Sequence, residues 1–153
     1  MTRKDESEAA EILLVEDNPG DARLTLEAFR DGQLNNNLNH VRDGVEAMAY
    51  LRREAPFTQS VRPDLILLDL NMPRMGGAEV LKELKGDPTL KSIPVLILTT
   101  SQAEKDIASS YIHQANCFIR KPVDFDEFLA VVQDIESFWL TIVKLPGHPA
   151  VAA

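Results

Sequence analysis

The chain has 153 residues, 44% hydrophobic and 26% charged, the make-up of one globular domain large enough to bury a real core. Its 24 acidic and 16 basic residues leave a net charge of −8, which argues against a whole-surface grip on nucleic acid, since that needs Lys and Arg to neutralise phosphates. The lone Cys117 excludes a disulfide scaffold, and apolar runs such as Leu65–Leu68 and Val95–Leu98 fall far short of the ~20 residues a membrane span requires.

Residues 1–10 are too polar to bury and contain no apolar stretch of signal-peptide length. They are expected to form a flexible arm, and the expected compartment is the cytoplasm. Ile12–Val15 is an apolar run that predicts a first strand. Asn18-Pro19 then opens a helix: Asn caps it, and Pro sits where a missing N–H is harmless. Ala22, Leu26 and Phe29 keep helical spacing until Gly32. Leu38–Val41 predicts a weak second strand. Asp43-Gly-Val-Glu46 has capping-box spacing for a second helix through Ala47, Tyr50 and Leu51. Asp64–Leu70 reads as a strand buried on both faces, and Gly76–Leu84 as a third helix. Pro94–Thr99 is another buried strand. Ser101-Gln-Ala-Glu104 begins a fourth helix, and Cys117–Ile119 is a short fifth strand. A fifth helix runs from about Phe125 to Val143, before a Pro- and Gly-bearing tail over 144–153.

Strands alternating with helices predict an α/β fold: a doubly wound, five-stranded parallel sheet, here over 11–143. Ligands of such sheets sit beyond the carboxyl ends of the strands. Glu16 and Asp17 follow the first strand, Asp69 ends the third, Thr99 ends the fourth, and Lys121 follows the fifth. Each alone has a plain reading: a capped turn, a strand-terminal Asp, a β-branched strand residue, a Lys-Pro loop. Together they are three carboxylates that need neutralising, a hydroxyl and a point cation. Hard oxygen ligands suit Mg²⁺, and the set suits phosphoryl transfer, which depends on positioning and charge neutralisation.

With VEDN (15–18), LLDLNMP (67–73), LTTS (98–101) and RKP (120–122), the sequence closely resembles a bacterial response-regulator receiver domain over about residues 11–136. The resemblance implies the strand order 2-1-3-4-5 of a flavodoxin-like receiver fold. It implies that Asp69 accepts a phosphoryl group from a sensor histidine kinase. Glu16, Asp17, Asp69 and the backbone carbonyl of Asn71 would hold Mg²⁺, Lys121 would pair with a phosphoryl oxygen, and Thr99 and Phe118 would be the switch residues. Two positions depart from the family's usual pattern. Glu16 stands where Asp is commoner, which suggests a contact through water, and Thr100 stands where a smaller residue is common.

The segment ESFWLTIVKLP and the DNPGDARL run are similar to single-domain regulators that partner bacterial and cyanobacterial phytochromes. A phytochrome is therefore the expected kinase. After Glu136 only 17 residues remain, so no DNA-binding output domain is expected. On the last helix, Phe128, Val132, Ile135 and Trp139 fall within about 60° and should face the sheet. Val131, Phe138 and Leu145 lie about 60–100° round from Phe128, with Ile142 between the sets. They are expected to form a homodimer interface, and the resemblance also implies dimers built on the fourth helix, fifth strand and fifth helix. A haloacid-dehalogenase-type phosphatase would use similar groups but needs an acid two residues after its nucleophile. Asn71 stands there and cannot transfer a proton. A pseudo-receiver that takes no phosphate is opposed by the intact acid, hydroxyl and lysine set. His40, His113 and His148 form no ligand pattern.

Overall fold

The computed structural model describes residues 9–31, 35–70, 75–99, 117–120 and 125–138. In chain order they form β1 (Ala10–Val15), α1 (Pro19–Asp31), β2 (Asn36–Val41), α2 (Gly44–Leu51), β3 (Leu65–Asp69), α3 (Gly77–Gly86), β4 (Val95–Thr99), β5 (Cys117–Arg120) and α4 (Phe125–Phe138). The strands make one sheet in the order β2-β1-β3-β4-β5, every neighbouring pair parallel. This is the doubly wound arrangement and strand order expected. The helix expected from Ser101 lies outside the described residues.

Alternation along the central strands divides the core in two. Ile12 and Leu14 of β1 join Leu65 and Leu67 of β3 and Leu96 and Leu98 of β4 on one face, against Ala28 and Phe29 of α1 and Val132 and Ile135 of α4. Leu13, Val15, Ile66, Leu68, Val95 and Ile97 point the other way, against Ala47 and Met48 of α2 and Val80, Leu81 and Leu84 of α3. Covered on both faces, β3 is buried at every position. That is why its sequence is a continuous apolar run rather than an alternation.

Several boundaries differ from the sequence reading. The sheet begins at Ala10, only 1% exposed, so the arm expected over 1–10 stops short of that residue. β2 begins at Asn36 rather than Leu38, because Ala10 and Glu11 of β1 pair with Asn36 and Asn37 and supply a ladder that asparagine's poor strand propensity does not predict. Helix α3 starts at Gly77 and runs through Gly86, past the expected stop at Leu84.

The caps are mostly as expected. Asn18 Oδ1 accepts from the Asp21 N–H at 2.9 Å, and Asp43 Oδ1 accepts from the Glu46 N–H at 2.9 Å. The reciprocal half of the second capping box is displaced. Glu46 accepts from the N–H of Arg42 at 2.8 Å, because the chain enters α2 fully extended at Asp43 (φ −161°, ψ 179°) and presents the preceding N–H instead.

In α4, Val132 and Ile135 face the sheet as expected. Val131 is half-buried and packs with Leu129 against the first core cluster, so only part of it is left for a partner. The side chains of Phe128 and Phe138, and residues Trp139, Ile142 and Leu145, lie outside the described set. Among the described residues, no helix is long and apolar enough to cross a membrane.

Candidate functional site

The first acids are placed by the end of β1. Its register against β3 sets Val15 beside Leu68, so the next residues, Glu16 and Asp69, emerge from neighbouring strands at about the same level. Parallel neighbours lie only about 4.8 Å apart, so side chains leaving both carboxyl ends converge. One carboxylate oxygen each of Glu16, Asp17 and Asp69 lies within 4.8 Å of the others. Glu16 is 0% exposed and Asp69 3%, whereas Asp17 is exposed, so the cluster has a dry floor and an open rim.

Local bonds hold these acids in place. Glu16 Oε2 accepts from the Asn18 N–H at 3.2 Å, which ties the first acid to the start of α1. Its backbone N–H donates to the Val41 carbonyl at 3.0 Å, and its carbonyl lies 2.7 Å from Nε2 of His40. Beyond Asp69, the Leu70 N–H donates to the Leu98 carbonyl at 3.3 Å, and the Leu70 carbonyl accepts from the Gly77 N–H at 3.2 Å. Helix α3 therefore starts directly against the backbone of Asp69. A Cβ on Gly77 would sit 2.6 Å from the Asp69 carbonyl oxygen and 2.8 Å from the Leu70 Cα, so this approach needs glycine. Gly44 is needed in the same way: its N–H donates to the Met75 carbonyl at 3.2 Å, and a Cβ there would overlap that oxygen and lie 2.6 Å from Val80 Cγ2.

The structure thus brings together three of the acids singled out in the sequence. They form a set of hard oxygen donors that fits a divalent cation, with an exposed side through which water and an anionic substrate can reach it. Thr99 ends β4, one position beyond Leu98, the register partner of Asp69. Phe118 lies in β5, where it pairs with Ile97. The side chains of Thr99 and Phe118 lie outside the described residues, as do Asn71 and Lys121 altogether. His40, Gly44 and Gly77 were not picked out from sequence. Gly77 had a signal, a Gly-Gly pair soon after a strand-terminal Asp. His40 had none, because its contact comes from strand register.

Comparison with known proteins finds similar chains and similar folds. The response regulator receiver domain family matches residues 12–133. The chain is 46% identical over 136 residues to the response regulator Rcp1 of Synechocystis sp., covering 89% of this chain and 92% of that protein. The crystal structure of the phosphorylated cyanobacterial phytochrome response regulator RcpA is similar at 49% identity and a TM-score of 0.82, over 91% of this chain and 99% of that one. The Mn²⁺-bound form of Rcp1 is similar at 47% identity and a TM-score of 0.79, over 90% of this chain and 99% of that one.

Proposed function

The chain belongs to the response regulator receiver domain family, and from that premise we propose that Asp69 accepts a phosphoryl group from the phosphohistidine of a sensor kinase in a Mg²⁺-dependent reaction. One observation carries the assignment: Asp69 is the acid at the end of the central buried strand, within 4.8 Å of two further carboxylates at the same sheet edge. A carboxylate oxygen of Asp69 forms the new O–P bond as the donor's N–P bond breaks. The leaving imidazole keeps the electron pair, and the product is an acyl phosphate. Glu16 and Asp17, with the Asn71 carbonyl, are the groups assigned to hold Mg²⁺ beside Asp69. When bound, the ion supplies positive charge against the carboxylates and the transferring phosphoryl oxygens. Burial of Glu16 and Asp69 strengthens that electrostatic coupling, while the exposed rim at Asp17 admits the donor.

Lys121 is assigned to pair with a phosphoryl oxygen, Thr99 to close on the phosphoryl group, and Phe118 to turn inward with it. The group would thereby be read as a change of surface rather than released as product, so the chain acts as a signalling protein and not as an enzyme with a turnover substrate. The likeness to RcpA, described as a phytochrome response regulator, makes a phytochrome kinase the partner to test first. Cytoplasmic action and a homodimer built on the last helix complete the reading; the net charge of −8 leaves no reason to assign a nucleic-acid partner. The test is transfer of label from phosphorylated phytochrome-type kinases. The wild-type chain should be labelled only with Mg²⁺, and Asp69→Asn should take no label; equal labelling of that variant sinks the assignment.

A further inference from the structure

We propose that His40 is a positioning residue for the cation site, acting through the peptide group that joins Glu16 to Asp17. The inference rests on the reading of those two acids as cation ligands. Strand β2 pairs with β1 so that His40 lies opposite Leu14 and Val41 opposite Val15, where the regular pairing of the two strands ends. Glu16 is the next residue, and β2 holds it twice. Its N–H donates to the Val41 carbonyl at 3.0 Å, and its carbonyl oxygen is 2.7 Å from His40 Nε2. A carbonyl oxygen can only accept, so the imidazole carries its proton on Nε2 and donates it.

The bonded carbonyl belongs to the planar peptide unit between the two acids. Holding that carbonyl restrains ψ of Glu16, and a change in ψ there that an opposite change in φ of Asp17 does not cancel turns the Asp17 side chain against that of Glu16. Glu16 is anchored further by burial and by the Asn18 N–H on its side chain. Asp17 is exposed, so the plane that precedes it is the means by which β2 sets its direction. With the clamp closed, the two carboxylates are ordered before a cation arrives. With it open, part of the binding free energy goes into ordering them. His40 is itself exposed, so removing its ring leaves no cavity in the core.

The experiment is calorimetric titration of the full chain with Mg²⁺, for wild type, His40→Leu, His40→Gln and Asp17→Asn. Leucine fills similar space without a donor, and glutamine returns an N–H at similar reach. Loss of a hydrogen bond that orients a metal ligand commonly weakens affinity 10–100-fold, and an exposed donor belongs at the low end, so His40→Leu should bind about tenfold more weakly. His40→Gln should recover affinity to within about threefold of wild type. Thermal midpoints without cation should stay within about 2 °C for both, as for other exposed substitutions. Wild-type affinity in His40→Leu overturns the proposal, and so does equal weakening in His40→Leu and His40→Gln. Asp17→Asn separates the two readings. If it abolishes binding while His40→Leu does not weaken it, the clamp alone is wrong. If Asp17→Asn keeps wild-type affinity, the acidic pair is not the cation site and both readings fall.

Discussion

Asp69→Asn preserves the shape of a buried side chain while removing one of three clustered charges, and its effect on stability can be worked from the geometry. The Asp69 carboxylate lies within 4.8 Å of those of Glu16 and Asp17. Like charges about 4 Å apart repel by about 4 kcal/mol at an effective dielectric of 20, and by about 1 kcal/mol in water. The Asp69–Glu16 pair is buried and belongs near the first figure; the pair with exposed Asp17 belongs near the second. Together they set an upper bound of about 5 kcal/mol. Bonds that hold the native carboxylate are lost on substitution, so a net gain of about 1–3 kcal/mol is expected without a cation. For a chain of this size that is a rise of about 2–12 °C in thermal midpoint. Urea unfolding in a chelating buffer, followed by circular dichroism, reads the difference. Added Mg²⁺ should then stabilise wild type in proportion to the logarithm of its concentration and stabilise the variant much less. A variant no more stable than wild type in the chelator would refute the claim that these carboxylates are held in mutual repulsion.

Glycine at the start of α3 should be equally exacting: Gly77→Ala should lose about 1–3 kcal/mol in urea unfolding, whereas Gly86→Ala, with nothing within 4 Å of its new methyl, should gain up to about 1 kcal/mol. At alkaline pH, burial and then the Glu11 carboxylate hold the Tyr50 phenol above its ordinary range, so the folded state keeps a proton that the unfolded chain has released. Stability from this group is full below about pH 10 and falls as pH rises beyond it, so Tyr50→Phe should flatten the fall in urea midpoint. Lys85, pulled below its ordinary range by burial, acts with the opposite sign in the same region, so the quantity to read is the difference between wild type and Tyr50→Phe. Thr99→Ala and Lys121→Ala should still take label at Asp69 yet lose the phosphorylation-dependent change in partner binding; wild-type switching in both variants would be incompatible with their roles. Sedimentation should give about twice the monomer mass for wild type and one monomer for Phe138→Asp, as a charge buried in that contact would cost a few kcal/mol. A wild type that stays monomeric with and without phosphate would exclude the dimer.

Strand type was legible wherever burial was two-sided, whereas the strand order came from the family resemblance. Leu65–Leu68 and Val95–Leu98 read as strands covered on both faces, and they sit so, whereas their register is seen only in the structure. At the edge the signal failed: Asn36 and Asn37 are strand residues by virtue of their partners Ala10 and Glu11, and no local preference marks them. The acids were legible because strand-terminal position is a one-dimensional property, and Glu16, Asp17 and Asp69 do converge. What fixes them was less legible. The His40 contact depends on which residue of β2 falls beside the end of β1, and the close packing at Gly44 and Gly77 depends on how loops from different units meet. The Asp43 capping box was half read: the spacing to Glu46 was right, but the extended entry into the helix moved the second bond onto Arg42.

An all-parallel sheet also governs when the site can exist. Each neighbouring pair needs a crossover rather than a hairpin, so no two strands of this sheet can zip up locally. Glu16 and Asp17 are synthesised well before Asp69, and they meet it only after the chain has passed out along β2, back through α2 and into β3 between β1 and β4. Until that ladder closes, Asp69 is an ordinary solvated aspartate with no neighbouring acids to share a cation. If Asp69 is the phosphoacceptor proposed above, competence to receive a signal belongs to molecules in which β1 and β3 have paired, and a nascent chain that has not yet closed that ladder should not compete for phosphate from the kinase.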